Sequence, residues 1–361
     1  MNEQAFTKTI KILLFSVLLV VILVYGKPFL VPVAFAALFS MLLLPLSMKL
    51  ESLEITKGLA IFFSVLFFVL MIAVLVYVVA WQVSDVSKNK NEIEKRIDEK
   101  LREFKEYVAR NFDISLQKQN EIIQSEAQPT NGNAAITITG LFSSAGSFIA
   151  HLTLTIVYIF LFLYYRLHLK KFILMLTPAS NKKNIQSAIE EARTVAQKYI
   201  AGLATMIVCL WVMYSIGFSI VGVQSAVLFA ILCGLLEIVP FVGNLTGSII
   251  AVIAVVMQGG STSMILGVVI TYATVQFLQT YILEPLVVGK GVSINPLFTI
   301  AGIVAGELVW GIPGMILAIP FLGITKIFCD HIEPLKPCGF LIGQERKSRH
   351  NVVDKVKRWM K

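Results

Sequence analysis

Charge is scarce in this chain: 15% of its 361 residues are Asp, Glu, Lys or Arg, against 57% that are hydrophobic. With a mean hydropathy of +0.79, there are too few charges to coat a soluble globule, which excludes a soluble domain and leaves a polytopic membrane protein. Histidine is scarcer still, at four residues. The spans contain no His-Glu-x-x-His and no paired-aspartate or serine–histidine set, so no enzyme and no cofactor is expected. The four cysteines, Cys209, Cys233, Cys329 and Cys338, lack metal-ligand spacing. The first three lie in or beside apolar runs and read as small buried hydrophobes, with no metal expected. Aromatic–basic modules are also missing, so the net charge of +9 is not read as nucleic-acid binding. It reads as topology. The basic excess at residues 166–198 and 326–361 marks both segments as cytoplasmic by the positive-inside bias.

What is present is a series of apolar runs. Lys8 and Lys11 precede one at residues 12–25; Gly26, Lys27 and Pro28 interrupt it, and a second covers 29–48. Ala34-Phe35-Ala36 imitates a signal-peptide cleavage site, but the combined apolar length exceeds that of such a leader. Two close antiparallel spans with the N-terminus inside are expected. A third span, over 58–81, ends on Trp81, an interfacial residue type, and completes an N-terminal region at 1–82. Residues 83–135 are polar and nearly balanced in charge, so they carry no cytoplasmic signature and read as an extracytoplasmic insertion. Ile93, Ile97, Leu101, Phe104 and Val108 there make one apolar helical stripe, seeking its own membrane domain, another segment or a neighbouring subunit. Region 136–198 holds a fourth span at 148–165, opening near His151, and an amphipathic cytoplasmic helix. That helix sets Ile185, Ala188, Ala192 and Ala196 against Lys182, Glu190, Glu191 and Arg193. A fifth span at 200–221 opens a transport core at 199–330, and 331–361 is a basic cytoplasmic tail.

The core carries the chemistry. Its run at 226–257, taken as one helix, would reach roughly 48 Å against a hydrocarbon core of about 30 Å, so it must bend, break or turn back. The stretch LLEIVPFVGNLTG at 235–247 marks the place. Pro240 cannot donate a backbone hydrogen bond, and groups freed by a break need protein or a water-filled cavity around them. Glu237 and Asn244 flank the break, and a carboxylate facing lipid costs roughly 3 kcal/mol or more. A discontinuous element lining a polar site follows. A second over-long run, 297–328, is interrupted by GELVWGIPG, which contains Glu307, Gly311 and Pro313. Two Gly/Pro-broken segments, each preceded by an acid and separated by one span at 264–283, form the pattern of repeats that build a transporter binding site. On the intervening span Tyr272, Gln276, Gln279 and Leu283 share a face. Lys290 in the following loop favours re-entrant hairpins, which leave six crossings, over two crossing segments, which make eight. The fold class is an all-α membrane protein of six to eight transmembrane helices, with two broken elements in the C-terminal half and a helical polar insertion.

Four motifs follow in order within residues 235–328: Ile238-Val239-Pro240-Phe241-Val242-Gly243, Glu284-Pro285-Leu286-Val287-Val288-Gly289-Lys290, Asn295-Pro296-Leu297, and Gly311-Ile312-Pro313-Gly314-Met315-Ile316-Leu317-Ala318-Ile319-Pro320. With them the chain resembles the autoinducer-2 exporter family of bacterial membrane proteins, and upstream the layout of spans agrees. The resemblance implies a multi-pass inner-membrane transporter that forms homo-oligomers. Relatives in that family are associated with export of the furanone-type signal autoinducer-2, and others with sodium or lithium for proton antiport. Many carry proline after the glycine of the first motif, where this chain has Asn244, so side-chain hydrogen bonding would hold the turn here.

The expected site is a midplane one, made by both breaks and the polar face between them. Glu237 and Glu307 would carry protons or cations, because a carboxyl held away from water can load and release protons near neutrality. Asn244, Gln276 and Gln279 would hold a cation or sugar-like hydroxyls, helped by main-chain groups freed at the breaks. Pro240, Gly243, Gly311 and Pro313 would shape the backbone. Glu284, before Pro285 at a span end, is a further candidate that reads first as a cap, and a local capping role is also open for each of the other acids. The expected partners are the lipid bilayer and a small-molecule or cation substrate. The leading function is export of a small polar molecule such as an autoinducer-2-like signal, driven by protons. A sodium (lithium)/proton antiporter is one alternative, and a non-transporting scaffold or regulator is another.

Overall fold

The computed structural model describes residues 3–87, 134–240, 242–288 and 294–344. The apolar stripe from Ile93 to Val108, most of the polar insertion, Lys290 and the far end of the basic tail lie outside them. Among the described residues the chain is helical, apart from one antiparallel bridge between Ile294 and Gly343. The helices are α1 (Glu3–Tyr25), α2 (Lys27–Glu51), α3 (Lys57–Ser87), α4 (Ala134–Met175), α5 (Lys182–Val221), α6 (Ala226–Leu236), α7 (Val242–Met257), α8 (Thr262–Leu278), α9 (Pro296–Trp310), α10 (Ile312–His331) and α11 (Lys336–Ile342). A π-helical stretch, Gln279–Val288, continues α8. Among the described residues six helices are long and apolar enough to cross a membrane. Large apolar side chains such as Phe62, Phe67 and Leu70 on α3 stay exposed, as a surface solvated by lipid tails permits.

Two expected elements are longer than their apolar runs. The fourth span continues through Arg166, Lys170 and Lys171 as the single helix α4, and the amphipathic segment joins the fifth span as the 40-residue α5. Pro178 stops the chain between them; no proline interrupts residues 182–221, so the backbone hydrogen bonds run on.

The helices form two compact units. One comprises α1, residues 165–200 and α9 to α11. Ala188 and Ala192 of α5 pack there on Ile327 of α10, and Lys170 and Arg193 both reach Glu190, at 2.7 and 3.3 Å. The Trp310 indole donates to the Leu23 carbonyl at 2.8 Å, which ties the end of α9 to α1. Helices α9 and α10 fold back on each other with Gly306 backbone against Gly314 backbone. Gly311 makes this turn at φ 69°, ψ −145°, a region open essentially to glycine. Gly311→Ala is therefore expected to cost about 1–3 kcal/mol, read as a lower melting temperature of the detergent-solubilised protein.

The second unit contains residues 26–164 and 201–289. Within it α2, α3 and α4 share a core of Leu43, Ile61, Val65, Phe68, Ile159 and Leu163. Lys57 at the start of α3 donates to the Tyr164 carbonyl at 2.6 Å and lies 5.0 Å from the centre of its ring. The other core joins α5, α6, α7 and α8 through Leu210, Tyr214, Phe218, Cys233, Val255 and Tyr272. At about 16 and 24 Å, α6 and α7 are each shorter than the roughly 30 Å hydrocarbon layer. They pair antiparallel across the turn, with Cys233 Sγ 3.6 Å from the Gly247 carbonyl oxygen.

Candidate functional site

The break between α6 and α7 is a compact turn whose donors are used internally. Glu237 N–H donates to Cys233 O at 3.1 Å, Ile238 to Leu235 at 3.2 Å, Val239 to Leu236 at 2.9 Å, Val242 to Pro240 at 2.7 Å and Gly243 to Val239 at 2.9 Å. Those main-chain groups are not open to a solute. Gly243 lets the helices close, because a Cβ there would collide with the Leu236 carbonyl.

Glu237 projects from the turn between two donors. The Tyr214 hydroxyl on α5 donates to Oε1 and the Gln279 amide to Oε2, both at 3.4 Å, the long end of hydrogen bonding. Among the described residues no lysine, arginine or histidine is paired with this carboxyl. Tyr214 is fully buried, with its ring 5.5 Å from Phe218 and 4.8 Å from Tyr272. Gln279 is the residue at which α8 passes into the wider π-helical turns, a backbone feature frequent at functional sites.

Along the helix that brings Gln279 to this carboxyl the structure leaves polar atoms unsatisfied. The Tyr272 hydroxyl, Gln276 Oε1 and Gln279 Oε1 are buried and make no hydrogen bond. The Tyr272 hydroxyl lies near Tyr214 and Cys233 without hydrogen-bond geometry to either. Native proteins pair nearly all buried polar atoms, so orphans gathered on one helical face need a chemical reason. The orientation of Gln279 is fixed by its neighbour, since only the amide nitrogen can donate to a carboxylate, which leaves the oxygen on the other side. One carboxylate, two amide oxygens and a hydroxyl suit a proton, a small cation or a hydroxyl-rich solute, and repel an anion.

The family described as AI-2E family transporter matches residues 12–333. The chain belongs to this family. Among its relatives, YueF of Bacillus subtilis is 29% identical over 231 residues, covering 62% of this chain and 60% of that protein. MT0215 of Mycobacterium tuberculosis is 25% identical over 296 residues, with 80% and 79% covered. YrrI of Bacillus subtilis is 28% identical over 163 residues, with 45% and 46% covered. All three are named as candidate transport proteins. The chain spans about half the length of YrrI and three fifths of YueF. The family is the one that its motifs resemble.

Among the described residues the hydrogen-bond partners of the Glu237 carboxyl are Tyr214 and Gln279, and the other candidate residues of the AI-2E chain are not among them. Asn244 sits in the first turn of α7, half-exposed, and makes no hydrogen bond to the Glu237 cluster. Glu307 is exposed on α9 in the other compact unit, and its carbonyl accepts the Gly311 N–H at 2.7 Å. Glu284 is exposed within the π-helical stretch. Pro240 and Gly311 lie at the two turns, and Pro313 in the first turn of α10. Tyr214 was missed by the sequence reading. Its signal was there: it is the one tyrosine of the run at 200–221, and a buried tyrosine hydroxyl needs a partner.

Proposed function

We propose that this AI-2E family protein is a secondary transporter that exports a small polar solute, of the kind represented by autoinducer-2, in exchange for protons carried by Glu237. The observation that supports this reading is the Glu237 carboxyl at the α6–α7 turn, hydrogen-bonded by Tyr214 and Gln279 and accompanied by buried oxygens without partners. A carboxyl with no cationic partner changes charge when it takes a proton, and so changes what its neighbours can hold. The oxygen-rich character of the cluster also favours a second reading, sodium or lithium for proton antiport. The reading places the protein in the cell inner membrane as a homo-oligomer with both termini cytoplasmic, in keeping with Arg166, Lys170 and Lys171 at the end of α4.

The test is proton movement in inverted membrane vesicles after a sodium, lithium or autoinducer-2 pulse, comparing the parent protein with Glu237→Gln. The amide keeps the side-chain shape but cannot ionise, and the solute-dependent proton signal is expected to fall at least about tenfold, or 1.4 kcal/mol. A signal of equal size in the variant removes Glu237 as carrier. No signal in either protein, both shown to be in the membrane, removes proton coupling and leaves export of a small organic signal without it.

A further inference from the structure

We propose that Gln279 is a reversible amide switch that ties the protonation of Glu237 to what the site presents to a solute; this rests on the reading of Glu237 as the proton-carrying group. Gln279 is nearly buried, at 8% exposure, and its amide faces two ways. Nε2 donates to Glu237 Oε2 at 3.4 Å, while Oε1 is buried with no partner. An ionised carboxylate can only accept, so it holds the amide with nitrogen inward and oxygen outward.

Protonation reverses that preference. When one proton passes from water to Glu237, the carboxyl gains an O–H donor. A half-turn of the Gln279 amide about its last torsion then lets Oε1 accept this O–H and points the NH2 where Oε1 had been. The amide neither gains nor loses a proton; its two ends change places. A cation or hydroxyl donor bound to Oε1 beside the ionised carboxylate loses that ligand as the proton arrives, which is the alternation that exchange requires. The oxygens of Tyr272 and Gln276 make no hydrogen bond to Glu237, and the Tyr214 hydroxyl can donate or accept without moving its oxygen, so Gln279 is the partner whose two ends change places.

The surroundings leave the amide free to turn. Besides Glu237, among the described residues its nitrogen meets only the Met206 sulfur, at 4.0 Å, a weak acceptor on a flexible side chain. Gln279 also begins the π-helical stretch, where the backbone turn is wider than in an α-helix. The titratable groups facing Glu237 are Tyr214 from α5 and Cys233 from α6, with Tyr272 of α8 stacked behind Tyr214. Among the described residues no charged group from these helices competes for the carboxyl.

The experiment is infrared difference spectroscopy on the full chain in lipid bilayers, with isotope-labelled glutamine, as pH is stepped. The expected result is a carboxylic C=O band that appears on acidification and is lost in Glu237→Gln, together with a glutamine side-chain amide shift of the same midpoint. That shift should be absent from both Glu237→Gln and Gln279→Met; if Gln279→Met fails to insert, Gln279→Glu supplies the same subtraction. A carboxyl band that titrates without the amide shift overturns the switch, as does the lack of any carboxyl band. The two readings separate cleanly. A vesicle proton signal with a silent amide sinks the switch and keeps proton-coupled transport, whereas an amide that follows the carboxyl in a protein giving no proton signal keeps the switch and sinks proton-coupled transport.

Discussion

Tyr272→Phe is expected to yield a protein that is more stable than its parent and transports about tenfold less. The hydroxyl is buried in a residue only 5% exposed and has no hydrogen-bond partner. Such a group costs about 1–3 kcal/mol in the resting fold, and removing the oxygen recovers part of that. The ring keeps its place against Tyr214 at 4.8 Å and Phe218 at 6.5 Å, so no cavity forms. If the hydroxyl is a ligand for the solute, losing one hydrogen bond worth about 1.4 kcal/mol lowers the rate about tenfold. Melting of the solubilised protein and the vesicle proton signal measure the two effects separately. A variant that is stabilised and fully active removes Tyr272 from the solute site. One that is destabilised and inactive shows that the hydroxyl supports the fold. Gln276→Met should follow the same pattern, because its Oε1 is orphaned on the same face.

Gly243→Ala should remove most of the folded protein from the membrane. The added methyl would collide with the Leu236 carbonyl and stand 2.9 Å from the Glu237 nitrogen. Both neighbours are backbone and cannot rotate aside as a side chain would. Overpacking typically costs about 1–3 kcal/mol where side chains can shift, and the upper end or more is expected here. Relief would require α7 to lift from α6, and that motion would carry Glu237 away from Tyr214 and Gln279. Gly58→Ala is the matched control, since nothing lies within 4 Å of a Cβ at that position. Size-exclusion profiles of the solubilised variants should show Gly243→Ala lost or aggregated and Gly58→Ala like the parent. Equal profiles would mean the turn tolerates a wider spacing than its geometry indicates.

The parts of this site that were legible in the sequence are those set by one helix at a time. Tyr272, Gln276 and Gln279 share a face because four and three residues each make about one helical turn. The break after Leu236 could be read from Glu237 and Pro240, because neither fits an unbroken helix in lipid. Other features depended on contacts across the sequence. Tyr214 reaches Glu237 from 23 residues upstream, and nothing in its own run marks the hydroxyl as the partner of that carboxyl. The main-chain donors at the first turn were expected to be open, but the turn is tight enough to use them itself.

By itself the sequence determined the membrane class, the helical content, the positions of both breaks and the family. Each follows from rules that lipid enforces locally: apolar length must match the bilayer, every main-chain polar group needs a partner, and an acid cannot face hydrocarbon. Only the tertiary structure decided which side chains meet, which way the Gln279 amide points, and that each broken element folds back on itself. Helix pairing inside a membrane has no difference in hydrophobicity to guide it, because lipid tails are as apolar as the side chains they touch. It depends on close fit at places such as Gly243 against Leu236 and Gly306 against Gly314, and that fit exists only once the helices are in contact.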